Sequence, residues 1–484
     1  METVAAGARV GPATGSAKEP RIGTIEPSAD GGVLVLAHAW SLLTGGDGMV
    51  AGVHWPNGLG PLLLFAMVGL PVLAVASVRA VALRCGSHDP LWRALGWGRW
   101  VTQRRLARFV ASPRQDWVGL LGGMARAVAQ QAALTVEPGA LVAVDTTVTE
   151  KPDGPCLPGR RPVYSSSKKR LVDGYELVSA CVVGTAPAGG VRTWPLGLLP
   201  HQKSTDPTDR ATQQRRRRKA RDGERPSKLD LALTLVGLAA GAGVPVTTVV
   251  GDSAFAVMWW LREVEAMGLD WLVATRQDRR LRIGAEIRAF TAWAGSLPLT
   301  RLDVGTTSTQ IWAGRLPDIT LLDRHCNRQG LPGQAVYFER RTHQGTVVHR
   351  WYLVTSHRDW DLLAIWQHWQ WRWQIEVLHR DTRQHLHLDA FHVRTWSAIV
   401  ALVACSSLRA SLLAFLRAAA PTDALTSTEA LVAALRLAAC LVQTAPDGSV
   451  VASLPTSLRG FVPVPLDPCP PFPRHIWPVR LRAA

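Results

Sequence analysis

The sequence predicts a mixed α/β fold, in which a core containing a β-sheet follows a helical amino-terminal region. Short β-rich runs bounded by turn residues begin at Leu141, and helix-like and strand-like segments then alternate between Ser227 and Thr275. A long stretch without Gly or Pro follows, from Trp366 to His387, and its composition favours a helix. The chain has 484 residues, of which 47% are hydrophobic, so it can hold more than one structural unit and a sizeable core.

The chain is strongly basic. Its 54 Lys and Arg residues outnumber 37 Asp and Glu residues, which gives a formal net charge of +17. This balance favours a polyanionic partner, either nucleic acid or an anionic membrane surface. The seven Cys residues are scattered and include no Cys-x-x-Cys pair, so the sequence indicates neither a disulfide framework nor a zinc knuckle. A reducing cytoplasm fits this use of cysteine best.

The amino-terminal part divides into two segments. Residues 1–60 are rich in Gly and Ala and lack sustained periodicity, so we expect a disordered or over-long start. Residues 61–138 are expected to be helical. They open with an uncharged run, Pro61 to Val78, which is at the short limit for a membrane span and is interrupted by Gly69 and Pro71. We expect this run to form a buried helix, and a membrane helix is the alternative.

Residues 88–117 have the layout of a helix-turn-helix. Pro90 can start a first helix, Gly96 and Gly98 can form a turn, and Thr102 can cap a second helix. The second helix would present side chains that suit base edges and phosphates in a major groove, namely Gln103, Arg104, Arg105 and Arg108. An ordinary helical hairpin with a basic outer face has the same pattern, so the sequence leaves both interpretations open.

The predicted core begins at residue 139 with three β-rich runs that suggest an antiparallel meander, at 141–148, 175–184 and 191–199. The elements expected next are a helix at 227–242, a strand at 246–252, a helix at 255–267 and a strand at 271–275. The first core segment is expected to end at residue 276, and a β-rich insertion should follow at 277–350. The core should end at 351–394. Helices are expected at 395–445 and a Pro-rich tail at 446–484.

The stretch from Trp366 to His387 should be one helix, capped by Asp359 or Asp361. Six side chains, one aromatic and five polar or charged, should lie on one face of this helix, within an arc of about 100°: Trp369, Arg372, Glu376, His379, Arg380 and Arg383. The remaining side chains are apolar and should pack into the core: Trp371, Trp373, Ile375, Val377 and Leu378.

One carboxylate among several cations on a buried helix requires mutual pairing, a metal or a phosphate-bearing ligand. For an arbitrary helix, the i,i+4 spacing of Arg372, Glu376 and Arg380 indicates a structural ladder of ion pairs.

Two aspartates give Glu376 a different set of partners. Asp145 is predicted to end the strand LVAVD, and Asp252 to end the strand TTVVGD just before a helix. Taken singly, Asp145 could form a turn and Asp252 could cap a helix. Together with Glu376 they could converge on one point, where three carboxylates need a cation. Hard oxygen ligands select Mg²⁺ or Mn²⁺, and two such ions about 4 Å apart would form a two-metal site for attack on a phosphodiester.

The spacing on the helix carries a resemblance to a known family. Trp369, two residues, Arg372, three residues, Glu376, six residues and Arg383 resemble the Tyr, Arg, Glu, Lys signature of bacterial insertion-sequence transposases of the DDE class. Trp replaces Tyr and Arg replaces Lys, and a guanidinium contacts phosphate differently from an ammonium. The contexts VxxDxT at Asp145 and DSxF at Asp252 also match the family.

The resemblance implies an RNase H-like core with a β-rich insertion before the glutamate, and a transposase that cuts DNA at its terminal inverted repeats and joins the 3′-hydroxyl to target DNA. It implies that Asp145, Asp252 and Glu376 are the catalytic metal ligands. It also implies a homodimer that bridges two double-stranded DNA ends in the bacterial cytoplasm, at the nucleoid, without a membrane partner. The alternative is a catalytically inactive DNA-binding protein that keeps the same fold.

Residues expected to contact DNA lie in several places. Arg372 and Arg383 would clamp phosphates, with Trp369 stacked on a sugar or base. His379 is expected to face DNA or solvent, because no second Glu-x-x-His motif and no Cys ligands accompany it. Further contacts with the phosphate backbone of DNA are expected from three places: Arg380, the group Lys168, Lys169 and Arg170, and the basic run that begins with Arg215 and Arg216 and ends at Lys219.

Overall fold

The structure is a computed structural model. It describes residues 24–28, 32–44, 53, 59–73, 77–131, 134–152, 157–202, 226–304, 309–323, 330–391, 393–419, 427–438, 440–444, 450–454 and 479–483. Most of the predicted disordered start, the basic run that contains Arg215 and Arg216, and most of the Pro-rich tail lie outside these residues. The expectation of disorder over residues 1–60 is wrong where the structure describes them, because Thr24–Ser28 forms a strand and Gly32–Thr44 a helix that packs into the core.

The region before the core is mainly helical. Its elements are β1 (Thr24–Ser28), α1 (Gly32–Thr44), α2 (Gly60–Gly69), α3 (Val78–Cys85), α4 (Pro90–Leu95), α5 (Gln103–Ala111) and α6 (Trp117–Ala129). Helix α2 continues as a 3₁₀ turn, Leu70–Leu73, where Pro71 interrupts the run. Every residue from Leu62 to Gly69 is buried inside the protein. The uncharged run therefore packs into the core, as expected for the buried helix.

The predicted pair of short helices is present. The Asp89 carboxylate accepts a hydrogen bond from Leu91 N at 2.9 Å and so caps α4, and Gly96 turns the chain in the left-handed region at φ 63°. The Thr102 hydroxyl caps α5 by accepting from Arg105 N at 3.3 Å. The start of α4 at Pro90, the turn at Gly96 and the cap at Thr102 follow the residues that predicted them, and the Asp89 cap is an addition. The role of this pair in DNA binding stays a prediction.

The core sheet opens with four strands in a mainly antiparallel arrangement. They are β2 (Ala140–Glu150), β3 (Arg161–Ser165), β4 (Arg170–Thr185) and β5 (Val191–His201). Strands β2, β4 and β5 form the predicted meander, and β3 is an additional strand that the sequence did not indicate. The next elements are α7 (Lys228–Gly241), β6 (Val246–Gly251), α8 (Met258–Ala266) and β7 (Asp270–Ala274). Strands β2, β6 and β7 pair in parallel, so helices and strands alternate as predicted.

The predicted insertion is rich in strands, and these strands extend the same sheet. Its elements are β8 (Arg280–Ile283), β9 (Glu286–Ala289), α9 (Phe290–Ala294), β10 (Thr300–Leu302), β11 (Gln310–Leu321), β12 (Leu331–Arg341) and β13 (Val347–Thr355). Strand β13 pairs antiparallel with β7, with Val354 opposite Val273. In the described part of the chain, twelve strands thus form one mixed sheet. Strand β13 crosses the predicted boundary at residue 350, and the division into domains stays a prediction.

The carboxy-terminal part covers the sheet with helices. They are α10 (Leu362–Trp371), α11 (Trp373–Gln384), α12 (Trp396–Ala419) and α13 (Thr428–Leu437). Strands β14 (Cys440–Thr444), β15 (Val450–Leu454) and β16 (Val479–Ala483) follow, and they join β1 in a second sheet. The expectation of helices at 395–445 is wrong at its end, because residues 440–444 form β14, which pairs with β1.

Helix α12 is long and apolar enough to cross a membrane. However, 89% of its most apolar window is buried inside the protein. Its apolar surface covers the core, as in the central helix of a globular domain.

The predicted single helix from Trp366 to His387 is wrong in two respects. It is interrupted at Arg372, and α11 ends at Gln384. The two halves rest on different parts of the twisted sheet. The Trp366 ring in α10 packs on Phe338 and Trp351 of β12 and β13, at 5.1 Å between ring centroids, whereas α11 lies on β2 and β4. The helical path therefore breaks where it passes from one part of the sheet to the other.

Candidate active site

Asp145 and Asp252 leave two neighbouring strands side by side. Val144 of β2 and Gly251 of β6 are partners in the parallel ladder, and each aspartate is the next residue. Adjacent strands lie about 4.8 Å apart, and residues in register point to the same face of a sheet. The two carboxylates are therefore neighbours on one face.

Asp145 does not end its strand, so that prediction is wrong. Strand β2 continues to Glu150, because its antiparallel pairing with β4 goes on, with Asp145 opposite Ser179. Only the parallel pairing with β6 stops before Asp145. Asp252 follows the end of β6 as predicted, and its carboxylate also accepts a hydrogen bond from Ala254 N at 2.9 Å. The capping role expected of an isolated aspartate is thus present as well.

Glu376 brings the third carboxylate to this face. It lies in the first turn of α11, which rests on β2 and β4. One ligand atom each from Asp145, Glu376 and His379 lie within 4.8 Å of one another. In the described residues this group has the composition and spacing that could hold a metal ion.

The charged groups in the cluster shift one another's pKa values. Burial, followed by the negative charges of Asp252 and Glu376, raises the pKa of Asp145 to about 7. Burial also raises the pKa of Asp252. The neighbouring His379 imidazole lowers the pKa of Glu376 to about 2, against the opposing effect of burial. The two aspartates thus lack sufficient positive charge from the protein, which is the condition that a bound cation would relieve.

Arg372 lies between two of the carboxylates. Its Nη1 is 3.4 Å from Asp145 Oδ2 and 3.7 Å from Glu376 Oε1, and its guanidinium carbon is 5.0 Å from the centre of the Trp369 ring. Trp369 is only 7% exposed and forms a platform beneath the guanidinium. The structure therefore places Trp369 in the core rather than at an open surface for a sugar or base.

Arg383 fastens α11 to the sheet. Its guanidinium donates to the Thr147 hydroxyl and, at 2.9 Å, to the carbonyl of Val148, both in β2. Its Nε is buried and has no hydrogen-bond partner among the described residues. Arg380, in contrast, is exposed and pairs with Asp381 at 3.2 Å. The predicted row of cations is therefore divided between the sheet and the surface.

The expectation that His379 faces DNA or solvent is wrong. Its side chain is buried, with 4% of the residue exposed, and its pKa is lowered by this burial. Its Nε2 is 2.6 Å from Ser179 Oγ, and its Nδ1 is 3.8 Å from Glu376 Oε2. The expectation that Trp373 packs into the core is also wrong, because it is 62% exposed. The charged side of α11 faces the sheet and Trp373 faces outward.

Sequence reasoning missed the strand residues that meet this helix. Ser179 and Thr147 contact His379 and Arg383, respectively. The signal in the sequence is the Glu376-x-x-His379 spacing, which places both side chains on one face of the helix. The residue that meets His379 is on a strand and not on a second helix.

The other predicted DNA contacts lie away from the cluster. Lys168 and Lys169 are exposed in the turn between β3 and β4, and Lys168 Nζ pairs with Glu150 at 2.7 Å. In α5, Arg104 and Arg108 are exposed, whereas Arg105 donates to the carbonyl of Arg99 at 2.7 Å and lies over the Trp100 ring. The two other predicted contacts, Arg215 and Arg216, lie outside the described residues.

Comparison with known families supplies an independent line of evidence. Residues 87–297 match a family described as DDE superfamily endonuclease, and residues 224–408 match a family described as transposase DDE domain. Asp145 and Asp252 lie within the first match, and Asp252 and Glu376 within the second. No curated protein matches the chain.

Proposed function

The chain belongs to the DDE class of transposases, and from this premise we propose that it cuts phosphodiesters at the inverted-repeat ends of its element and joins the freed 3′-hydroxyl to target DNA. The observation that carries the proposal is the grouping of Asp145 with Glu376 and His379 at ligand spacing, beside Asp252, which follows the neighbouring strand and interacts electrostatically with both carboxylates. We assign Asp145, Asp252 and Glu376 as the catalytic metal ligands.

The donor set fits Mg²⁺ or Mn²⁺. Carboxylate oxygens are the ligands that these ions prefer, and the raised pKa of Asp145 and Asp252 marks a site with too little positive charge. When bound, a pair of such ions would activate the attacking hydroxyl and stabilise the leaving 3′-oxygen. Asp145 and Asp252 would hold them from adjacent strands, and Glu376 from the helix above.

Arg372 is proposed to change partners during the reaction. In the structure it neutralises Asp145 and Glu376 over distances of 3.4 and 3.7 Å, which are long for ion pairs. A cation at the carboxylates would take over this neutralisation and release the guanidinium. Trp369 would keep it close to the site, where it could bind a phosphate of the strand being cut.

We propose that the main role of Arg383 is to position helix α11 and that contact with DNA is an additional role. Its bonds to Thr147 and Val148 hold α11 on β2 and so keep Glu376 beside Asp145. Its Nε is buried, so the phosphate contact predicted from the sequence requires the guanidinium to leave its strand partners when DNA binds.

The wider DNA surface is proposed from exposed cations on separate elements. Lys168, Lys169 and Arg170 form the tip of the β3–β4 hairpin, and Arg104 and Arg108 lie on the outer face of α5. With a net charge of +17, these groups suit the backbone of a long duplex. We further propose a homodimer that brings two ends together at the bacterial nucleoid, with Arg105 and Arg380 at the margins of the DNA path.

The test is a cleavage assay with the full chain, Mg²⁺ and the DNA that flanks its gene, where short inverted repeats are expected. Wild-type protein should nick the repeat ends. Asp145→Ala, Asp252→Ala and Glu376→Ala should abolish nicking while DNA binding persists. A matched control is Glu286→Gln, which removes an exposed carboxylate of β9 that pairs with Arg288. Nicking that survives all three substitutions would overturn the catalytic assignment, and binding without nicking by the wild type would favour the inactive alternative.

A further inference from the structure

We propose that His379 is a nitrogen ligand of one of the metal ions held by Asp145 and Glu376, and that Ser179 sets the ring tautomer which makes this possible. The inference rests on the proposed function, because it assigns a further ligand to the same site. It adds a residue that lies outside the three carboxylates.

The position of the imidazole is the first argument. His379 lies one helical turn after Glu376 in α11, and both side chains turn toward Asp145. Metal–ligand bonds of roughly 2.1 Å place two ligand atoms about 3 Å apart at right angles and about 4.2 Å apart when opposite. The separation of 3.8 Å between His379 Nδ1 and Glu376 Oε2 lies between these limits.

The hydrogen bonds of Ser179 are the second argument. Its Oγ lies 2.6 Å from His379 Nε2 and 3.2 Å from the backbone carbonyl oxygen of Asp145. A hydroxyl has one hydrogen, so Ser179 can donate to only one of these two acceptors at a time. The direction of that donation decides which nitrogen of His379 carries the proton.

Each direction of donation corresponds to one state of the site. If Ser179 donates to Nε2, then Nδ1 carries the proton and faces Glu376 Oε2 at 3.8 Å as a favourable electrostatic contact, which suits a site without metal. If Ser179 donates to the carbonyl of Asp145, Nε2–H donates to Ser179 and the Nδ1 lone pair faces the carboxylates. A lone pair beside carboxylate oxygens is repulsive unless a cation lies between them. This second arrangement is the usual one for a metal-bound histidine, whose other N–H is held by a hydrogen bond.

A nitrogen ligand has a consequence for the choice of metal. Imidazole is softer than carboxylate, and it favours Mn²⁺ over Mg²⁺ more than an all-oxygen site does. We therefore expect the wild type to prefer Mn²⁺, and we expect this preference to fall at least tenfold in His379→Gln.

The decisive experiment is pulsed electron paramagnetic resonance of Mn²⁺ bound to the full chain. Wild type should show the hyperfine coupling of a directly bound nitrogen, and ¹⁵N labelling of histidine should change it. His379→Gln should bind Mn²⁺ through the carboxylates and lose the coupling, whereas His385→Gln, a histidine at the end of the same helix, should keep it. Bound Mn²⁺ without nitrogen coupling in the wild type, or no Mn²⁺ binding at all, would overturn the inference.

Ser179→Ala provides a second variant that tests the same inference if His379→Gln fails to fold. It should retain the nitrogen coupling and bind Mn²⁺ about 10- to 100-fold more weakly, the usual effect of removing a group that orients a ligand. Unchanged affinity would overturn the role of Ser179. The cleavage assay keeps the two proposals separate: cleavage that depends on the three carboxylates without nitrogen coupling leaves the proposed function intact and removes only the role of His379.

Discussion

Arg372 Nη1 lies 3.4 Å from Asp145 Oδ2, so a cation of the protein occupies the place beside the carboxylates where a metal ion would act. The same guanidinium reaches Glu376 at 3.7 Å and rests on the Trp369 ring. The arrangement shows the ion-pair use of Arg372, and we propose the phosphate clamp as a second use of the same side chain once a metal ion is bound.

The two uses predict opposite effects of one substitution. Arg372→Gln removes a competitor of the metal, so we expect metal to bind about two- to fivefold more tightly, the size of a weak ion pair of about 0.5–1 kcal/mol. Cleavage should fall by about 100-fold or more, because a phosphate contact at the reacting strand is lost. Calorimetric titration and the cleavage assay measure the two effects. Arg276→Gln, which removes an exposed arginine, is the matched control, and a parallel loss of both properties would contradict the exchange of partners.

Glu376→Gln distinguishes a catalytic ligand from a structural residue. The side chain is 39% exposed, so the free energy of unfolding should change by no more than about 1 kcal/mol. Cleavage should fall at least 100-fold, with DNA binding retained. Glu286→Gln, a substitution of an exposed carboxylate paired with Arg288, should leave both properties unchanged. Loss of folding stability ahead of cleavage would favour the ladder.

Much of the core could be predicted from the sequence, as could the proximity of Asp145 to Asp252 and Glu376. Local patterns sufficed for the β2–β4–β5 meander, for the alternation from α7 to β7, and for Asp252 at the end of its strand. Asp145 was misplaced within its strand because its antiparallel partner, β4, extends further than its parallel partner, β6. Such a difference depends on pairing between distant segments, which periodicity does not encode.

The side of the helix that faces the sheet could not be predicted. Periodicity correctly grouped Glu376 with His379, but it does not say whether protein or solvent covers the group. The sheet covers it, which buries His379 and leaves Trp373 exposed, the reverse of both expectations. The second sheet was unpredictable for a related reason, since β1 pairs with β14 across nearly the whole length of the chain.

Arg409 should be essential for the stability of the helical layer. It is buried, and its guanidinium donates to the carbonyls of Val68 and Met67 at the end of α2 and to that of Leu386 just after α11. Arg409→Lys loses the fork that serves these acceptors, so we expect a loss of about 2–4 kcal/mol in the free energy of unfolding. Denaturant unfolding measures it.

The control for this prediction lies on the same helix. Arg417 makes one long hydrogen bond, 3.4 Å from its Nη1 to the Thr428 hydroxyl, so Arg417→Lys should cost under about 1 kcal/mol. Equal effects of the two substitutions would show that the three carbonyls do not depend on the guanidinium of Arg409.

Glu176 should make the protein sensitive to acid. Burial alone would raise its pKa, but hydrogen bonds from His201 and Lys228 lower it from 4.5 to about 2. A carboxylate with a lowered pKa stabilises the folded state above its unfolded pKa, and this stabilisation is lost as the pH falls from about 4.5 to about 2. Glu176→Gln should therefore destabilise the protein at pH 7 and flatten the acid limb of its stability curve. An unchanged difference in unfolding free energy between wild type and variant across that range would refute the assignment.

The β3–β4 hairpin should carry part of the affinity for DNA without taking part in cleavage. Lys168 and Lys169 lie at its tip, and Tyr164 and Leu171, which face each other across the two strands, are 62% and 66% exposed. Each phosphate neutralised contributes about 0.9 to the slope of log affinity against log salt, so Lys168→Ala combined with Lys169→Ala should lower that slope by about 2.

Cleavage at low salt and saturating protein should remain, because neither lysine belongs to the carboxylate cluster. Arg288→Gln combined with Arg301→Gln, which removes two exposed arginines of β9 and β10 outside the hairpin, is the charge-matched control. The same slope in all three proteins would exclude the hairpin from the DNA surface, whereas a smaller slope in the lysine variant alone would place its tip against the phosphate backbone.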